Sequence, residues 1–152
     1  MAIQATYIHT NLVARDWRKL SRFYQNVFGC SEVMPYRQLS GAWLERGTGV
    51  DNAQLQGVHL RLPTSGNDIT LEIFEYPETV DMQPGPVNRV GFGHIAFAVE
   101  DVNAACDAGL NHGGQQVGTI ETFELPDGEQ LTWAYVRDPE GNIVELQKRT
   151  AG

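Results

Sequence analysis

One eight-residue pattern occurs twice in this chain, and it limits the fold to two copies of one small module. The first copy is HTNLVARD, from His9 to Asp16; the second is HIAFAVED, from His94 to Asp101. Each begins with a histidine, continues with alternating apolar residues and reaches an aspartate seven positions after the histidine. A glycine follows each histidine at twenty positions, Gly29 and Gly114. Alternation predicts a strand, because successive side chains of a strand point to opposite faces. The aspartate then predicts a helix start, since its carboxylate can accept from free N–H groups of the first turn. Glycine predicts the helix end, where left-handed backbone geometry is wanted.

The first helix is WRKLSRFYQNVFG, with Trp17, Leu20, Tyr24, Val27 and Phe28 at helical spacing on one face. The second is VNAACDAGLNHGG, weakened by Gly109, which costs about 1 kcal/mol relative to Ala. Strands at Tyr7–Val13 and His94–Val99 precede the helices. Three strands follow each: near Met34–Leu44, Gln56–Leu62 and Ile69–Tyr76, then near Gln116–Leu125, Gln130–Val136 and Asn142–Gln147. Pro126-Asp127-Gly128 predicts a turn. Pro63 and Pro139 fall at matching places before the last strand of each half.

Each half therefore reads β-α-β-β-β. Module one covers about residues 6–76 and module two about 91–148, joined by a linker, 77–90, that carries Pro77, Pro84 and Pro86. Such a linker is extended and exposed. The expected fold is α+β: one domain over 1–152, its two modules forming a paired, partly closed eight-stranded mixed sheet with helices outside.

A chain of 152 residues suffices for a core without disulfide or metal staples. Its net charge of −8 opposes nucleic-acid binding, which needs a cationic surface. No apolar run reaches the roughly 18 residues of a membrane span. Neither does the N-terminus have the basic and apolar regions of a signal peptide. Cys30 and Cys106 are read as reduced, buried thiols, which with the other features suggests the cytoplasm.

Each half closes with a strand carrying a carboxylate among apolar neighbours, Glu72 in ITLEIFEY and Glu145 in NIVELQ. An ionised Glu on an apolar strand face is costly unless paired, and a divalent cation would resolve both burials. With His9 and His94, one per repeat, they make a metal-binding set. Imidazole nitrogen with carboxylate oxygen suits Zn, Ni, Co, Mn or Fe(II). Two carboxylates would neutralise one M²⁺. Four protein ligands would leave two octahedral positions for water or for adjacent oxygens of a small-molecule substrate. His59 and His112 have no histidine twin in the other half; His112 is read as a helix-end residue and His59 as a strand residue facing the core or solvent.

The segments HTNLVARDWRKLSRFYQNVFG, GHIAFAVEDV and DPEGNIVELQ resemble the vicinal oxygen chelate superfamily, over about Tyr7 to Gln147. The superfamily includes glyoxalase I, methylmalonyl-CoA epimerase, extradiol dioxygenases and fosfomycin and bleomycin resistance proteins. The resemblance places the metal ligands at His9, Glu72, His94 and Glu145. It implies a glyoxalase-like lyase or isomerase that abstracts a proton next to a carbonyl through a metal-bound enediolate. Glu145 is then the base, with Glu72 holding the metal and available to share that role. Epimerase relatives carry a further acid–base group on the third strand of the first module, for which His59 is the nearest candidate. Relatives of this size are commonly homodimers.

Departures from glyoxalase I are FEYPET after Glu72 and PDGEQLTW where a glutathione loop is expected, which opens the substrate to other α-oxo or acyl-CoA compounds. The alternative readings are an Fe(II) extradiol-type dioxygenase using His9, His94 and Glu145, or a fosfomycin or bleomycin resistance-type protein. Glu72 opposes the dioxygenase, because it would fill a position that oxygen or catechol needs. Arg37, Arg46, Arg61 and Arg137 are available to an anionic substrate, Arg61 and Arg137 being repeat twins two residues before a proline. Together with Trp133 as a wall, Arg61 and Arg137 are the expected substrate contacts.

Overall fold

The computed structural model describes residues 3–63 and 68–151. The chain divides into two compact units, Met1–Asp81 and Met82–Gly152. The division falls between Asp81 and Met82, inside the proline-rich segment.

The first unit runs β1 (His9–Val13), α1 (Trp17–Phe28), β2 (Ser31–Ser40), α2 (Ala42–Thr48), β3 (Gln54–Arg61) and β4 (Thr70–Glu75). The second runs β5 (His94–Ala98), α3 (Val102–Asn111), β6 (Gln115–Glu124), β7 (Gln130–Arg137) and β8 (Ile143–Thr150). The eight expected strands are present and lie in two four-stranded mixed sheets, β1-β4-β3-β2 and β5-β8-β7-β6. Neither ladder closes on itself, and in each the first and last strands of the unit pair in parallel. The parallel pair needs a crossover, and the capped helix supplies the start of it.

Three of the four caps lie where the repeat puts them; α3 ends at Asn111 with His112 as its cap, ahead of the expected Gly114. Asp16 accepts from the Lys19 N–H at 2.9 Å, and Asp101 from the Ala104 N–H at 3.1 Å. Gly29 ends α1 in the left-handed region, φ 68°. The buried stripe of α1 is Trp17, Leu20, Ser21, Phe23 and Tyr24, with Val27 and Phe28 only half-buried at its end. It covers one face of its sheet, where Val58, Leu60, Leu71 and Ile73 are fully buried. Burying each such side chain contributes about 1.5–3 kcal/mol before entropy is counted.

Helix α2 is absent from the sequence reading, which extended the second strand to Leu44. Leu44 is instead a helical residue packed with Leu55 and Ala53 against Leu39, Phe74 and Tyr76. Leu55 and Phe74 alternate with the α1-facing residues, so α2 covers one end of the opposite face. Among the described residues, the second unit has no matching helix.

Glycine is required at Gly57 on β3. A Cβ there would lie 2.0 Å from the Ile73 carbonyl oxygen of β4. The hairpin joining β6 and β7 turns at Gly128, φ 87°, with the Asp127 carboxylate accepting from the Glu129 N–H at 3.1 Å. The loop before β8 is organised by buried Asp138. Its carboxylate accepts from the Glu140 N–H, the Asn142 N–H and the Asn142 side-chain amide at 2.9–3.0 Å. This loop delivers the chain into β8 two residues ahead of Glu145.

Among the described residues no helix is long and apolar enough to cross a membrane.

Candidate metal centre

Register brings the repeat histidines to the repeat glutamates. In the parallel ladder His9 lies opposite Thr70, two residues before Glu72; His94 lies opposite Ile143, two residues before Glu145. Side chains two apart on a strand share a face. The His9 Nε2 is 3.4 Å from Glu72 Oε2, and the His94 Nε2 is 2.8 Å from Glu145 Oε2. Each unit thus carries a histidine of its first strand beside a glutamate of its last strand, on the sheet face opposite its first helix; in the first unit a second imidazole, His59, also reaches the glutamate. The histidines are exposed at the ends of their strands, Glu145 is half-buried, and Glu72 is buried at 9%.

The surroundings of the two pairs differ. Glu72 stands opposite Asn11 on β1 and His59 on β3. Asn11 donates its side-chain amide to Glu72 Oε2 at 3.3 Å, and His59 Nε2 is 3.0 Å from Glu72 Oε1. Glu145 stands opposite Ala96 on β5 and Tyr135 on β7. The Tyr135 ring lies 5.2 Å from the His94 ring, and Trp133 meets Tyr135 edge-on at 5.1 Å.

Burial pushes the His59 imidazole below its ordinary pKa, the Glu72 carboxylate pulls the other way, and Arg37 and His9 add to the lowering. Burial raises the Tyr135 phenol, and the Glu145 charge raises it further.

Asn11 was passed over by the sequence reading, and His59 entered it only as a strand residue and as the nearest match to an epimerase acid–base group. Asn11 shares His9's strand parity, so alternation alone could have put it on the site face. His59 lacked a histidine twin, but its strand has one: QLQGVHLR matches QLTWAYVR residue for residue in position, with His59 aligned to Tyr135. That match points to the third strand of each module as part of the site face.

The arginines are placed as follows. Arg61 meets Asp68 at 3.5 Å on the exposed rim. Arg137 donates to the Gly141 and Gly85 carbonyls at 2.9 and 2.8 Å, which ties the loop before β8 to the segment preceding β5. Arg37 stands opposite Gly57, half-buried on the Glu72 face, and bonds the Pro35 carbonyl. Trp133 has its indole N–H buried with no protein partner among the described residues.

The donor types fit a divalent cation: each unit presents one imidazole nitrogen and one carboxylate oxygen at close range. Neither unit completes a site. Among the described residues no three His, Cys, Asp or Glu side chains group so as to hold a metal ion. Around Glu72, His9 and His59 approach different oxygens of its carboxylate.

The Glyoxalase/Bleomycin resistance protein/Dioxygenase superfamily profile matches residues 6–146, and the chain belongs to that superfamily. A probable lactoylglutathione lyase of Synechocystis is 41% identical over 56 residues, 37% of this chain and 40% of that protein. The fold is that of a glyoxalase family protein from Bacillus cereus, with a TM-score of 0.83, 20% identity and coverage of 100% of this chain and 99% of the other. It is also similar to a variant of the fosfomycin resistance protein FosX from Listeria monocytogenes, solved with Mn(II) and a dihydroxypropylphosphonic acid. That match has a TM-score of 0.57 and 17% identity, covering 97% of this chain and 95% of the other.

Proposed function

We propose that His9, Glu72, His94 and Glu145 hold one divalent metal ion, and that the protein is a glyoxalase-like lyase or isomerase. The observation that carries this reading is the repeated imidazole–carboxylate pair, at identical register in both modules. A single structural His–Glu contact is common; two copies on exposed strand ends of a duplicated sheet are better explained by a shared ligand. The similarity to a probable lactoylglutathione lyase and to an Mn(II)-containing FosX structure supports the same class. Zn, Ni, Co, Mn and Fe(II) all suit the donors. The two modules then act as one domain, in a cytoplasmic homodimer.

When bound, the metal supplies Lewis-acid polarisation of a substrate carbonyl. Glu145 removes the proton from the adjacent carbon and returns it. Its carboxylate is half-buried and has a single imidazole partner, so it can change contacts without stranding a buried charge. The substrate is a small molecule with adjacent oxygens. Trp133, beside Tyr135 on the Glu145 face, forms a wall of the substrate site. Arg37, on the Glu72 face, meets an anionic group, with Arg61 as a second cation at the rim. Arg137 has its donors committed to two carbonyls and serves mainly to hold the loop before Glu145. A dioxygenase would need three positions open on its metal, which Glu72 as a ligand forbids.

Elemental analysis of the purified chain after metal loading should give one divalent metal per chain, lost when His9 or His94 is replaced by Ala. The Glu145→Gln variant should still fold but no longer exchange substrate protons with deuterated solvent. No metal after loading would end the shared-site reading; full exchange in Glu145→Gln would remove Glu145 as the base.

A further inference from the structure

The two half-sites are equivalent in backbone register and unequal in side chains, and the inequality falls on the glutamates. Glu72 and Glu145 occupy matching places on β4 and β8, each flanked by one residue from the first strand and one from the third strand of its module. At Glu72 both flanking residues bring nitrogen to the carboxylate, Asn11 at 3.3 Å on Oε2 and His59 at 3.0 Å on Oε1. At Glu145 the same two places hold Ala96, which has no polar group, and Tyr135, whose ring lies against His94. Glu72 therefore has contacts on both oxygens, whereas His94 is the ion-pair partner of Glu145.

We infer that Asn11 and His59 are positioning residues that hold the Glu72 carboxylate in place for the metal. This rests on the shared-metal reading, in which Glu72 holds the metal and Glu145 is the base, and adds to it the two side chains that orient Glu72. A hydrogen bond from a neighbouring side chain fixes the orientation of a ligating carboxylate and so contributes to metal affinity. Restricting one glutamate this way lowers the cost of ordering it when metal binds. The other, flanked by Ala96 and Tyr135 with His94 as its ion-pair partner, is less constrained. The arrangement also accounts for the burial of Glu72 and the greater exposure of Glu145: a buried carboxylate needs its oxygens satisfied, and Asn11 and His59 satisfy them.

The test is Mn(II) affinity, measured by titration of the full chain freed of metal, with the melting curve of each metal-free variant as the check on folding. Asn11 is exposed, so Asn11→Ala should fold normally. Asn11→Ala and His59→Leu should each weaken Mn(II) binding about 10–100-fold. His59→Gln, which retains a side-chain N–H, should recover much of the loss. Tyr135→Phe, at the place matching His59, should leave Mn(II) affinity unchanged. Asn11→Ala and His59→Leu chains that bind Mn(II) as tightly as the unaltered chain would overturn the positioning role. An equal loss in Tyr135→Phe would overturn the asymmetry. An unaltered chain that binds no Mn(II) would instead overturn the shared-metal reading beneath both.

Discussion

At the scale of single residues, the chain shows how one residue type is put to different uses by its neighbours. Glu72 and Glu145 share a repeat position, yet the amide of Asn11 and the imidazole of His59 surround only the first. Repetition made both glutamates visible as candidates; Asn11 and His59 carry no comparable mark, because their importance depends on a cross-strand neighbour. The cysteines make the contrasting case. Cys30 is buried and unpaired with another sulfur, and burial pushes its thiol from 9.0 up to about 11. An unfolded chain would release that proton near its ordinary value, before the native chain does. The contribution of Cys30 to stability should therefore be complete below about pH 9 and be lost as pH rises toward 11. Urea titrations of the unaltered chain and of Cys30→Ala across that range should diverge below it and converge above it. Parallel curves throughout would refute the assignment.

At the scale of elements, caps and turns followed local chemistry. Asp16, Asp101 and Gly29 act on backbone groups a few residues away, so their roles could be read without knowing the fold. Helix α2 could not be read this way. Its side-chain pattern over Ala42–Thr48 is short and ambiguous, and Leu44 chooses its conformation by packing on Leu55 from a later strand. Helix α3 tests the propensity argument. Gly109 lies in its interior, and a Cβ there would sit 3.8 Å from Val136, an ordinary contact. Gly109→Ala should raise stability by about 0.5–1 kcal/mol, through lost freedom of the unfolded chain and better helix propensity. A chemical denaturation midpoint that falls would mean the helix packs closer to β7 than this spacing allows.

At the scale of the whole molecule, duplication is the organising fact: two units with the same strand order, the same parallel pairing of first strand with last, and a first-strand histidine beside a last-strand glutamate in each. Val90 and Phe92, just ahead of β5, are almost completely exposed. Exposed apolar side chains of that size mark association surfaces when they cluster. We expect a homodimer, so light scattering should give twice the 16.9 kDa chain mass, with Phe92→Ser shifting the balance toward the single chain. A mass of one chain at all concentrations would refute the dimer. The amino-acid sequence by itself determined the repeated strand–helix order, the starts of α1 and α3 and the strand faces on which His9, Glu72, His94 and Glu145 lie, because caps, turns and alternation act over a few residues. The tertiary structure alone decided which carboxylate is held and which arginine is committed. Those outcomes depend on pairings such as His59 with Glu72 and Arg137 with Gly85, between residues distant in the chain, and only the register of the folded strands and the path of the loops set them.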